Sequence, residues 1–318
     1  MAENSHISWT DNTFNPLMGC TKVSPACQNC YAERDMDHRY HKVAWGPNGT
    51  RVKTSEENWR KPLRWNRDAA SSGKRLYVFC ASLADVFEDW KGPIRNAAGV
   101  PLHHGKDWCE KEKYVPRDLL IGKSLVTMDD LRRDLFDLIQ ATPNLEWLLL
   151  TKRPENVERM WPQVGFADAG VPGTLGRRLF LANVILGTSI ENQEWTDKRL
   201  PHLHAAKRYG LVGRTFVSAE PLVGPVMLHG EHDGKVYRHL GGEGIDWVIT
   251  GGESGPNARP CKPEWFRSLR DQAEAAGVPF HFKQWGEFDV NENRVGVKVA
   301  GRELDGRTHD GLPRVASV

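Results

Sequence analysis

The 318-residue chain has no run of 18 or more apolar residues, so it offers no candidate membrane helix. Its longest apolar stretches, such as LFLANVIL at 179–186, suit buried strands. It also lacks a strong charge of either sign. Its 43 Lys and Arg face 41 Asp and Glu, for a net charge of +2. Bulk charge therefore does not mark a nucleic-acid binder, although a local basic patch stays open. The opening MAENSHISWTD has no basic stretch followed by an apolar one. No secretory signal is read there, and the expected compartment is the cytoplasm. Internal repeats and low-complexity tracts are missing. Cysteine is scarce, with six in all. Cytosolic thiols stay reduced, so cysteines that lie close together point to metal binding or chemistry rather than to disulfides. Aromatics are not scarce: twelve tryptophans and a 39% hydrophobic fraction imply a packed core.

What is present is a recurring unit of short apolar run, polar tip and helical pattern. Strands are expected at Leu76–Cys80, Trp147–Leu150, Val184–Gly187, Thr215–Ser218, Trp247–Thr250 and Pro279–Lys283, after a first strand within HISWTDNTFNP. These runs are continuously apolar, as parallel strands covered on both faces are. In TMDDLRRDLFDLIQATP, residues Met128, Leu131, Leu135, Leu138 and Ile139 fall on one helical face. Thr127 suits the N-cap, Asp129 and Asp130 suit the helix dipole, and Pro143 ends the pattern. KPEWFRSLRDQAEAAGVP repeats the logic with Pro263 at the start and Gly277 at the stop, and RPENVERMW is a shorter helix. Such alternation predicts an α/β fold, a full or partial (β/α) barrel over residues 1–286. Two insertions are read near 90–123 and 230–243, the second as a polar loop. Residues 287–318 are read as a C-terminal hairpin or extension.

Polar residues gather after the strands: Ser82 and Asp85, Thr151 and Lys152, Ser189 and Glu191, Glu220, Glu253 and Gln284. In a barrel these tips share the C-terminal rim, where barrel enzymes build their sites. The sharpest pattern lies in NPLMGCTKVSPACQNCYAER at 15–34, where Cys20, Cys27 and Cys30 are spaced C-x6-C-x2-C. Thiolates suit zinc or an iron–sulfur cluster. A structural zinc takes four ligands, and His38 or His41 could supply the fourth. A four-iron cluster on three cysteines instead leaves one iron open to a small molecule. The position of the cysteines after the first strand, at the rim, favours the cluster.

This stretch resembles the cluster loop of radical S-adenosylmethionine enzymes, especially the spore photoproduct lyase-like branch, which carries an Asn-Pro, a Gly-Cys and a final Cys-Tyr. The usual first gap there is three residues. The gap of six is similar to that of a phage- and bacteria-associated family of unknown function with a three-cysteine motif. VFCASLADVFED, LLLTKRPEN, LGTSIEN, VSAEPLVGP, ITGGESG, FKQWGEF and AGRELDG look like further motifs of that family. The resemblance implies a barrel of the radical S-adenosylmethionine type. Cys20, Cys27 and Cys30 would hold a [4Fe–4S] cluster, with S-adenosylmethionine on its open iron. Tyr31 would lie near the adenine. Ser82, Asp85, Lys152, Ser189 and Glu191 are candidates for the methionine or ribose, with Glu220 and Glu253 as further rim positions. A 5′-deoxyadenosyl radical would then take hydrogen from a substrate, with electrons from an external donor. Cys80 is a candidate hydrogen donor, or else a buried cysteine acting as a small apolar residue.

For substrate, NWRKPLRWNR at 58–67 and HRYHK at 38–42 mix cations with aromatics, which suits phosphates and stacked bases. The plainer reading is an amphipathic helix with core tryptophans. A DNA, RNA or nucleotide substrate is expected, with a partner protein as a further expectation and no membrane association. Two other functions stay open. One is a zinc-stabilised nucleic-acid-binding protein without redox chemistry. The other is a hydrolase holding a divalent metal on Asp85, Glu191, Glu220 and Glu253.

Overall fold

A computed structural model describes residues 5–104, 124–164 and 177–313. Part of the first expected insertion, including Cys109, lies outside these residues. Seven parallel strands form one curled sheet, a half-barrel: β1 (Asn12–Thr13), β2 (Leu76–Cys80), β3 (Leu145–Thr151), β4 (Val184–Ser189), β5 (Arg214–Ala219), β6 (Trp247–Thr250) and β7 (Phe280–Phe282). Their order in the sheet is their order in the chain. Each connection therefore winds the same way, and all the strand ends share one rim. The two edges approach each other where the Ser8 hydroxyl meets His281 Nε2 of β7 at 2.8 Å.

Helices cover the outer face: α1 (Glu56–Ser72), α2 (Met128–Gln140), α3 (Val157–Met160), α4 (Gln193–Arg208) and α5 (Pro263–Ala275). The caps follow the sequence. Thr127 and Asp130 form a reciprocal capping box on α2, and Asn192 Oδ1 accepts from the Trp195 amide on α4. Trp59 and Trp65 of α1 are 9% and 4% exposed and belong to the core beneath the helix. They cannot stack on a base, so the plainer reading of this helix is the right one.

Side chains alternate across the sheet. Val78, Cys80, Trp147, Leu149, Val184, Leu186, Val217 and Val248 join the helix-side core. Tyr77, Phe79, Leu148, Ile185, Phe216, Trp247 and Ile249 point inward and cluster with Trp9 inside the curl. Gly187 leaves room for that interior, because a Cβ there would sit 2.3 Å from the Phe216 ring. Below this aromatic layer Glu146 takes ion pairs from Arg75 and Arg214, which close the lower end.

The 230–243 insertion is ordered as a hairpin, His229–His232 with Lys235–Arg238, rather than a loop. Asp233 and Gly234 take positive φ at its two-residue turn. The C-terminal segment is not one hairpin. A helical turn at Val297–Ala300 lies between single bridges, Phe288 with Arg294 and Leu304 with Arg307. Arg267 and Arg270 of α5 grip Asp305, and Tyr77 donates to the Pro313 carbonyl. The tail is thus strapped across the lower barrel.

Burial holds His281 neutral, lowering its pKa from 6.5 to about 4. The same cause lowers His204, stacked on His239, to about 4. A base whose folded pKa is depressed contributes stability that is full above the unfolded pKa and lost as pH falls towards the folded one. Thermal melts should therefore decline between pH 6.5 and 4, with His281 alone costing about 3 kcal/mol at the acid end. The His281→Gln variant should show a shallower decline over the same window. An unchanged slope in that variant would show that His281 carries none of the effect.

Candidate active site

The polar strand tips surround a cavity of about 210 Å³ at the C-terminal rim. Cys20, Cys27 and Cys30 all line it, together with Tyr31, Ser82, Asp85, Lys152, Ser189, Glu220 and Glu253. A larger and more open depression, about 540 Å³, lies by the lower ends of β1 and β2, against Asp11, Arg64 and Asp68. Chemistry is assigned to the rim because the strand tips and the cysteine loop converge there, not at the wider hollow.

The cysteine loop lies between β1 and α1. Gly19 turns it with φ +104°, where a Cβ would strike the Thr50 carbonyl at 2.4 Å. Pro25 opens a short 3-10 turn ending at Cys27, and Cys30 caps a helical turn that begins at Tyr31. Four strand tips then hold the loop. From β2, the Ser82 carbonyl accepts from the Tyr31 hydroxyl at 3.1 Å. From β3, Arg153 donates to Cys20 Sγ at 3.5 Å and to the Thr21 carbonyl at 2.6 Å. From β4, Glu191 Oε1 accepts from the Ala26 amide at 3.4 Å, while Oε2 takes Arg199 at 2.6 Å. After β6, Glu253 and Arg259 pair at 2.8 Å, and Arg259 reaches the Pro25 carbonyl at 3.1 Å. Asn29 donates to Glu253 at 3.2 Å.

Asp85 turns out to be an anchor. It accepts from Thr151 Oγ1 at 2.8 Å, the Lys152 amide at 3.0 Å and Arg153 at 3.0 Å. Glu88 joins Arg153 to Arg51, whose guanidinium also donates to Thr21 Oγ1 at 2.8 Å. Arg51, Glu88, Arg153 and Arg259 escaped sequence reading. Their signals were faint: three arginines and a glutamate, with partners far away in the chain. Glu191 is fully buried behind the loop and does not line the cavity. Cys80 is not brought to the cavity either. It is fully buried on the helix side of β2, and burial pushes its thiol up. The Gly-Gly before Glu253 has a packing reason, since a Cβ on Gly252 would lie 1.8 Å from the Trp285 carbonyl oxygen.

Burial pushes the Cys20 thiol up to about 12 against the pull of Arg153, and it raises Cys30 as well. None of the three is in a disulfide. A thiolate at Cys20 therefore needs a cationic partner beyond the arginine. Among the described residues, no group of three or more His, Cys, Asp or Glu is drawn together to hold a single metal ion. A tetrahedral zinc needs its ligands within about 2.0–2.3 Å of one point. The cysteines and His38 or His41 do not form such a ready-made site.

A family model for a protein of unknown function (DUF5131) matches residues 4–93 and 122–313, which is most of the chain. The chain belongs to this family. No curated protein and no solved structure matches it. The cysteine loop and every strand of the half-barrel fall within the matched segments of this DUF5131 chain. Among its described residues no helix is long and apolar enough to cross a membrane.

Proposed function

We propose that this chain is a radical S-adenosylmethionine enzyme acting on a nucleic acid or nucleotide, with a [4Fe–4S] cluster on Cys20, Cys27 and Cys30. One observation carries the reading: three unpaired cysteines line a single rim cavity together with seven of the eight residues expected to contact the cofactor, all but Glu191. The donor set fits the group. A cube-shaped cluster takes each thiolate on a separate iron, so its cysteines need to surround a cavity rather than meet at a point. When bound, cluster and S-adenosylmethionine supply a one-electron cleavage that yields a 5′-deoxyadenosyl radical for hydrogen abstraction.

The protein's own share is positional. Arg153, Glu191 and the Glu253–Arg259 pair fix the loop from three sides, which keeps the sulfurs in place as charge changes. Tyr31 lies across the opening, half exposed, with its hydroxyl held by Ser82. Lys152 supplies a cation at the tip of β3, and Ser189 a hydroxyl at the tip of β4. The Trp9 and Phe79 side chains wall the cavity below and exclude water from that side.

Anaerobic reconstitution followed by iron and sulfide analysis tests the proposal. About four irons and matching sulfide per chain are expected, with 5′-deoxyadenosine released on adding dithionite and S-adenosylmethionine. One tightly held zinc without sulfide would replace the proposal with the zinc-stabilised nucleic-acid-binding reading.

A further inference from the structure

The rim divides into two sectors. The tips of β2, β3 and β4 and the loop after β6 hold the cysteine loop. The tips of β5 and β7 do not: among the described residues no hydrogen bond joins Ser218, Glu220 or Lys283 to that loop. These three residues nevertheless line the same cavity. The Ser218 hydroxyl donates to Glu220 Oε2 at 3.3 Å, and the Lys283 ammonium lies 3.1 Å from Glu220 Oε1. The sector therefore presents a carboxylate acceptor flanked on either side by a donor.

Two further polar atoms near it are orphaned. Ser189, 1% exposed and opposite Ser218 in the sheet register, has a hydroxyl without a hydrogen-bond partner. Trp9, 3% exposed, has an indole N–H without one. Both residues line the cavity. A buried donor left unmade costs about 1–3 kcal/mol, so two of them at one cavity point to a ligand that satisfies them. The remaining wall is flat and apolar, with Phe79, Leu150 and Pro221.

We infer that the β5–β7 sector is the substrate end of the site and takes a planar lactam or imide edge, an N–H flanked by carbonyl oxygen. The N–H faces Glu220, and the carbonyl oxygens face Lys283 and the serine hydroxyls. Trp9 and Ser189 supply further donors to the same oxygens. A carboxylate ligand fits poorly, because Glu220 would repel it. A purely apolar ligand would leave the Ser189 hydroxyl and the Trp9 indole N–H unpaired. The inference deepens the proposed function by naming what the non-cysteine half of its cavity recognises.

Saturation-transfer NMR on the full-length apoprotein separates this from the cluster question, because the probes need no iron. Uracil supplies the imide edge, and 1,3-dimethyluracil keeps its shape and carbonyls but has no N–H. Saturable uracil binding is expected, with the dimethyl compound weaker by about tenfold or more. The Glu220→Leu variant should erase that difference. Lys283→Met should weaken uracil binding about tenfold or more while the thermal melt shows the fold intact. Equal binding of the two compounds to the wild-type chain, or no saturable uracil binding, would overturn the inference. Iron and sulfide content of the same preparation reports separately on the cluster.

Discussion

The Cys27→Ala protein, reconstituted anaerobically with iron and sulfide, is expected to lose the brown colour and to release no 5′-deoxyadenosine above background. Cys27 ends the 3-10 turn at the cavity edge and is only partly buried. Its replacement leaves no large hole, so the melting temperature should stay near that of the wild type, within about 0.5 kcal/mol of stability. The control is Cys80→Ala. That thiol is fully buried in the helix-side core and does not line the cavity. Its loss should cost stability, about 1 kcal/mol, and leave iron content unchanged. The pair separates a cysteine that holds iron from one that packs. Full iron loading in Cys27→Ala would remove the basis of the radical reading. Loss of iron in Cys80→Ala with an intact fold would move the site to a different set of sulfurs.

Local pattern went far towards the fold. Leu76–Cys80 and Trp247–Thr250 were legible to the residue, because a continuous apolar run bounded by polar tips has few other solutions in an α/β chain. The rim positions followed, since residues just past parallel strands must share one end of the sheet. The tail shows where local pattern stops: VGVKVA alternates like a strand, yet it makes a helical turn at Val297–Ala300 between glycines with positive φ. Asp233-Gly234 offered a hairpin signal inside a stretch that its polarity suggested was a loop. Trp59 and Trp65 could have faced solvent or core, and helical spacing alone did not decide it. The anchoring arginines were hidden for a different reason. Arg153 meets Thr21 from 132 residues away, and Arg259 meets Pro25 from 234 away. An ion pair across that separation is set by which strand tips become neighbours, and no local window contains it. For the same reason Asp85 was read as a cofactor contact. Its hydrogen bonds to Thr151, Lys152 and Arg153, which make it an anchor for the tip of β3, appear only once β2 and β3 stand side by side.

Arg153→Leu is expected to be the most damaging single change outside the cysteines. The guanidinium is 8% exposed and lies between Asp85 and Glu88, with side-chain exposures of 8% and 6%. Removing it strands two buried carboxylates, and breaking such a pair typically costs about 3–5 kcal/mol. Glu88 keeps its bidentate contact with Arg51, at 2.6 and 2.7 Å, and Asp85 keeps its neutral donors. The loss should therefore fall towards the lower end of that range. The same side chain ties down Cys20 and Thr21, so iron loading should drop as well. Arg153→Lys sorts the two effects. An ammonium retains the charge between Asp85 and Glu88 but cannot also donate in a fork to Thr21 and Cys20. Denaturant melts should find Arg153→Lys closer to the wild type than Arg153→Leu, whereas iron per chain should fall in both. If both variants melt as the wild type does, the Asp85–Arg153–Glu88 network contributes nothing to stability. If iron loading is also unchanged, Cys20 is positioned by the Gly19 turn and the Arg51–Thr21 contact alone.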